Sequence, residues 1–175
     1  MTATVVTPLH GRAWRRPLTL VGGGPERTPR PAPTREIRVL IADPQALTRG
    51  ALRALLEADP GIVVDGEAAT GEDTVRIAHR TRPDVVLIDT ELAGLDVVEA
   101  TRQIAVLPRT RVMLLGASAL DGSVFPALRA GASGSLVKDS DPRDLARAVR
   151  ALAGGDPLLS PAVTRRRLAA LVAVD

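Results

Sequence analysis

The 175-residue chain has no cysteine, and its only aromatic residues are Trp14 and Phe125. The missing thiols exclude disulfides, thiolate metal sites and a cysteine nucleophile. With so few rings, the core must be built from Val, Leu, Ile and Ala, which suits buried parallel strands and close helix packing. Lysine is nearly absent as well, and Lys138 stands alone among 22 arginines. No apolar run approaches the ~20 residues that a membrane-crossing helix needs. Residues 18–21, behind Arg12, Arg15 and Arg16, are too few for the apolar core of a signal peptide. A soluble, cytoplasmic protein with no membrane partner is expected.

The net charge of +3 is unevenly spread. Residues 1–36 carry six arginines against Glu26 and Glu36, residues 37–156 have a net charge of −3, and residues 157–175 carry Arg165, Arg166 and Arg167 against Asp175. The basic character belongs to the ends, so a nucleic-acid function cannot rest on the central part. Residues 1–36 also hold three consecutive glycines and four closely spaced prolines. Such a stretch sustains neither helix nor strand and is expected to be a disordered, solvated tail.

From Ile37 onward, short apolar runs alternate with amphipathic stretches. IRVLIA, residues 62–68, DVVLID, RVMLL and residues 135–137 have the pattern of buried strands. Residues 46–58, 71–80, 97–105, 124–130 and the stretch opened by Asp141-Pro142 have the pattern of helices. The first helix is expected to bury Leu47, Ala51, Leu55 and Ala58, and the last Leu145, Ala148, Val149 and Leu152. Asp59-Pro60-Gly61 stops the first helix, Gly131 closes the fourth, and Asp141 caps the fifth. Five strands alternating with five helices predict a doubly wound α/β fold, a five-stranded parallel sheet with helices on both faces. Functional groups then belong at the carboxyl ends of the strands, where Asp43, Asp89, Gly116 and Lys138 all fall.

Two carboxylates at such ends can hold a hard divalent cation such as Mg²⁺. A cation and a lysine together can neutralise a phosphoryl group arriving on the central carboxylate. Each residue alone is a weak signal, since an Asp at a strand end is more often a turn or cap residue. All three in this order are far more specific. There is no nucleophile elbow, phosphate-cradling glycine loop or metal-ligand pair, and no enzyme is expected. His79, near the end of the second helix, reads as a helix-dipole contact.

The strings IRVLIAD, RPDVVLID, EAT, ALRAGASGSLVKD and DLARAVRALAGGDPLLSPAVTRR resemble the receiver domains of two-component response regulators that carry a LuxR-type helix-turn-helix. The resemblance implies a flavodoxin-like receiver over residues 37–155 and a linker helix over 156–175. It implies that a histidine kinase phosphorylates Asp89, that Asp43 and Asp89 ligate Mg²⁺, and that Lys138 contacts the phosphoryl group. It also implies a homodimer or a partner complex through the face of helix 4, strand 5 and helix 5. The DNA-binding domain that follows in that family does not appear before Asp175, so DNA contact is not expected of this chain alone.

The departures from the family pattern fall on the switch. Pro44 stands where a second acid follows Asp43, Gly116 where a Thr or Ser hydroxyl ends strand 4, and Ser135 where an aromatic opens strand 5. The loop after Asp89 reads DTELAGLDV, with Leu92, Ala93 and Val97 at the family's Met, Pro and last Gly. Glu91 could bring backbone or side chain to the metal, although a solvated loop acid is the plainer reading. The expected function is a signalling receiver with weak Mg²⁺ binding and weak or no phosphorylation, acting through protein contacts or a small ligand. The alternative is a working phosphoacceptor at Asp89.

Overall fold

The computed structural model describes residues 35–118 and 122–156, apart from the side chain of Pro142. The strands are β1 (Ile37–Ala42), β2 (Ile62–Ala68), β3 (Val85–Asp89), β4 (Arg111–Gly116) and β5 (Gly134–Val137). The helices are α1 (Ala46–Glu57), α2 (Gly71–Thr81), α3 (Val97–Ala105), α4 (Val124–Ala130) and α5 (Pro142–Ala153). All five strands are parallel, in the order β2-β1-β3-β4-β5. Each element expected between Ile37 and Ala153 forms, with ends displaced by a residue or so; β4 continues through Gly116 and β5 begins at Gly134. The expected tail, apart from Arg35 and Glu36, and the expected linker helix, apart from Asp156, lie outside the described residues.

Side-chain alternation along the strands divides the core in two. Leu40, Ala42, Val86, Ile88, Val112 and Leu114 pack against α2, α3 and α4 through Ile77, Ala78, Val97, Ile104, Val124 and Ala127. Val39, Ile41, Val85, Leu87, Met113 and Leu115 meet Leu56 of α1 and Leu145, Ala148, Val149 and Leu152 of α5. Both faces of the central strands are buried, which explains their unbroken apolar runs.

The helix ends follow the expected chemistry. Asp141 accepts from the Arg143 N–H at 2.8 Å, Asp96 from the Val98 N–H at 2.7 Å, and Thr70 from the Asp73 N–H at 3.2 Å. Gly131 closes α4 with φ +118°, and a Cβ there would come within 2.6 Å of the Ala105 Cβ. Conformation and close approach therefore both demand glycine.

Helix α1 departs from expectation. Leu47 is 88% exposed and Leu55 41%, and Ala51 and Ala58 are exposed too, whereas Leu56 is buried and Leu52 half-buried. Two arginines explain this orientation. Arg49 donates to Glu67 Oε2 at 3.2 Å and to the Asp43 carbonyl at 2.8 Å, and Arg53 donates to Glu67 Oε1 at 2.7 Å. Both side chains reach β2 and Arg49 also reaches the end of β1, which fits the Leu52–Leu56 edge facing the sheet.

Candidate functional site

The strand order reverses between β1 and β3, and crevices at such points are where open α/β sheets bind ligands. Asp43 follows β1 and Asp89 ends β3, which places both at that crevice. They are 0% and 2% exposed. Lys138, just after β5, is tied to the neighbouring strand by its N–H, which donates to the Gly116 carbonyl at 2.9 Å.

Lys138 Nζ donates to Asp43 Oδ2 at 2.8 Å and to Asp89 Oδ2 at 2.6 Å, and its side chain remains 28% exposed. The second oxygen of each carboxylate meets a backbone donor, the Gln45 N–H for Asp43 (2.8 Å) and the Glu91 N–H for Asp89 (3.1 Å). Burial works against the ammonium, but hydrogen bonds to Asp43 and Asp89, and then their charges, raise the Lys138 pKa above its ordinary value.

The carboxylates suit a hard cation in kind, and two of them meet at the crevice. Pro44 and Glu91 are both exposed, and among the described residues no group of three or more His, Cys, Asp or Glu side chains could hold a metal. Glu91 reaches Asp89 through its backbone N–H. Gly116 is buried at the end of β4, beside Thr90. Ser135 is 4% exposed on β5, and its Oγ has no hydrogen-bond partner. The structure thus brings Asp43, Asp89 and Lys138 into direct contact, with Gly116 on the strand beside them, and leaves the Glu91 carboxylate out of the charged cluster. His79 lies elsewhere, in the last turn of α2, with Nε2 3.1 Å from the Gln103 carbonyl of α3.

Two features of the site have no motif in the sequence. One is the Gln45 N–H on Asp43, although an Asp two residues ahead of a helix start is a recurrent turn signal. The other is the Thr90 side chain beside Gly116, whose signal is a hydroxyl residue next to the central acid.

Residues 39–150 match the response regulator receiver domain family. The chain is 40% identical over 136 residues to the transcriptional regulatory protein LiaR of Bacillus subtilis (strain 168), covering 77% of this chain and 64% of that protein. It is 38% identical over 144 residues to the nitrate/nitrite response regulator protein NarP of Escherichia coli (strain K12), covering 81% and 63%. A solved two-component response regulator of the LuxR family from Aurantimonas sp. SI85-9A1 superposes with a TM-score of 0.69 at 33% identity, over 78% of this chain and 99% of the other. The chain spans about three-fifths of the length of the curated relatives it matches.

Proposed function

Since the chain belongs to the response regulator receiver family, we propose that it is a two-component signalling receiver in which Asp89 is phosphorylated weakly or not at all. It acts by contact with a protein partner or a second copy of itself, or by taking a small ligand. The observation that carries this reading is the exposed Pro44 beside Asp43, which leaves the crevice without a third carboxylate, while the Lys138 ammonium bridges the two that are there. A divalent cation has to share or displace that ammonium, and Pro44 supplies no further carboxylate to favour the exchange. Without a firmly held cation, an anionic donor meets more repulsion as it nears Asp89.

Asp43, Asp89 and a backbone group of Glu91 would hold whatever Mg²⁺ binds. Asp89 attacks the phosphorus of the donor, and Lys138 offsets the charge on the incoming phosphoryl group. The face of α4, β5 and α5 is the first candidate for output. Ser135 gives that face no ring to move, so it is fixed in one state, and the complex it forms is insensitive to phosphoryl donors. The core over residues 37–155 works in the cytoplasm as part of a transcription-regulating pathway, and DNA contact belongs to a separate domain.

Intact-mass analysis after incubation with Mg²⁺ and acetyl phosphate tests the reading, with little or no gain expected. Stoichiometric gain that disappears in Asp89→Ala and drives dimerisation would establish the second reading, an ordinary phosphoacceptor served by a histidine kinase. That reading is favoured by one observation, the intact 2.6 Å contact between Lys138 and Asp89.

A further inference from the structure

Gly116 carries no hydroxyl, yet the hydroxyl of Thr90 crowds the position its Cβ would take. A Cβ added at Gly116 would lie 3.2 Å from Thr90 Oγ1, 3.5 Å from Thr90 Cγ2 and 3.2 Å from the Ser118 carbonyl oxygen. Thr90 directly follows Asp89, and its N–H donates to the Leu115 carbonyl at 2.9 Å. That bond holds the start of the β3–α3 loop against the end of β4. The hydroxyl of Thr90 therefore lies beside the point from which residue 116 would extend a side chain.

We propose that Thr90 is the hydroxyl residue of this site, placed to donate a hydrogen bond to a phosphoryl group carried by Asp89. The inference deepens the proposed function and rests on it only in taking Asp89 as the acceptor. In the step concerned, an Asp89 carboxylate oxygen forms a bond to the phosphorus of an acyl phosphate. The bond from phosphorus to the donor's carboxylate oxygen breaks, and the carboxylate leaves with the electron pair. Thr90 keeps its proton throughout and shares it with a phosphoryl oxygen.

This origin of the hydroxyl matters for signalling. A hydroxyl on residue 116 couples the phosphoryl group to the loop after β4. A hydroxyl on Thr90 belongs to the same loop as the acceptor, so it steadies the acyl phosphate without drawing the β4–α4 connection inward. A ligand shifts a conformational equilibrium only through contacts that differ between the states, and this contact adds none. The two positions also compete for space, because 3.2 Å is tighter than an ordinary carbon–oxygen contact. Glycine at 116 and threonine at 90 thus form a matched pair.

The test measures the fraction of chain loaded by acetyl phosphate with Mg²⁺, and the lifetime of the acyl phosphate, by intact mass. Each variant is made in the unaltered chain and in a Pro44→Asp background, where the restored acid promotes loading. Thr90→Val preserves the shape and removes the hydroxyl, and it should reduce loading or lifetime about tenfold, as expected for one lost hydrogen bond to a charged group. Thr90→Ser should stay within about twofold of its parent on the same grounds. Thr90→Ala combined with Gly116→Thr should recover what Thr90→Ala alone loses, which a purely structural role for Thr90 would not produce. Equal loading and lifetime in Thr90→Val and its parent would overturn the proposal, as would absence of loading in every variant. Full loading of the unaltered chain would instead remove only the weak-phosphorylation reading and leave the Thr90 comparison intact.

Discussion

Removing the Lys138 ammonium would leave two buried carboxylates without the cation that bridges them. Breaking a buried pair from one side typically costs about 3 kcal/mol, because the remaining charge stays desolvated. Lys138→Met is therefore expected to lower unfolding stability by about 3 kcal/mol in a urea titration at neutral pH, and added Mg²⁺ should restore more stability to this variant than to the unaltered chain. Pro44→Asp should favour the metal too, by adding a ligand where Lys138→Met removes a competing cation. A third carboxylate beside Asp43 should raise Mg²⁺ affinity at least about tenfold in calorimetry, and tight binding by the unaltered chain would contradict the account of Pro44. Asp43, Asp89 and Lys138 were legible in the sequence because each ends an apolar run, and the lone lysine draws the eye. Thr90 was not, since its place is defined by Gly116, 26 positions away on the neighbouring strand.

Among the elements, α1 marks the boundary of what periodicity can tell. The stripe Leu47–Leu55 and the edge Leu52–Leu56 differ by one position, about 100° of helix, and both are apolar. What separates them is the reach of Arg49 and Arg53 to Glu67, an interaction with a different element. Leu56→Ala should cost about 2–4 kcal/mol as a core truncation, while Leu47→Ala should stay within about 0.5 kcal/mol; comparable losses at both positions would refute the observed orientation. The same arginines give α1 and β2 a pH dependence. The hydrogen bond from Arg53, opposed by burial and aided by Arg49, holds Glu67 below its ordinary carboxyl value of 4.5. A carboxylate lowered on folding adds stability above its unfolded value, and that share is lost as the pH falls through the folded one. Stability curves of the unaltered chain should therefore drop below pH 4.5 more steeply than those of Glu67→Gln.

For the molecule as a whole, the alternation of five strands and five helices announced the doubly wound sheet, since parallel neighbours need crossovers and unbroken apolar strands need cover on both faces. Which strands became neighbours was less open to reading, because IRVLIA, DVVLID and RVMLL are interchangeable as apolar runs. The order decides the site, for the reversal between β1 and β3 is what sets Asp43 beside Asp89. Output is a property of the whole surface, and sedimentation velocity should give the same association state with and without acetyl phosphate; phosphoryl-driven dimerisation would show the switch to be live. The solitary lysine has one more consequence, in isotope chemistry. Reductive methylation with ¹³C-formaldehyde would mark only the chain's α-amino group and the Lys138 ε-amine. One carbon resonance would then report directly from between Asp43 and Asp89, moving when cation, donor or partner alters that pair.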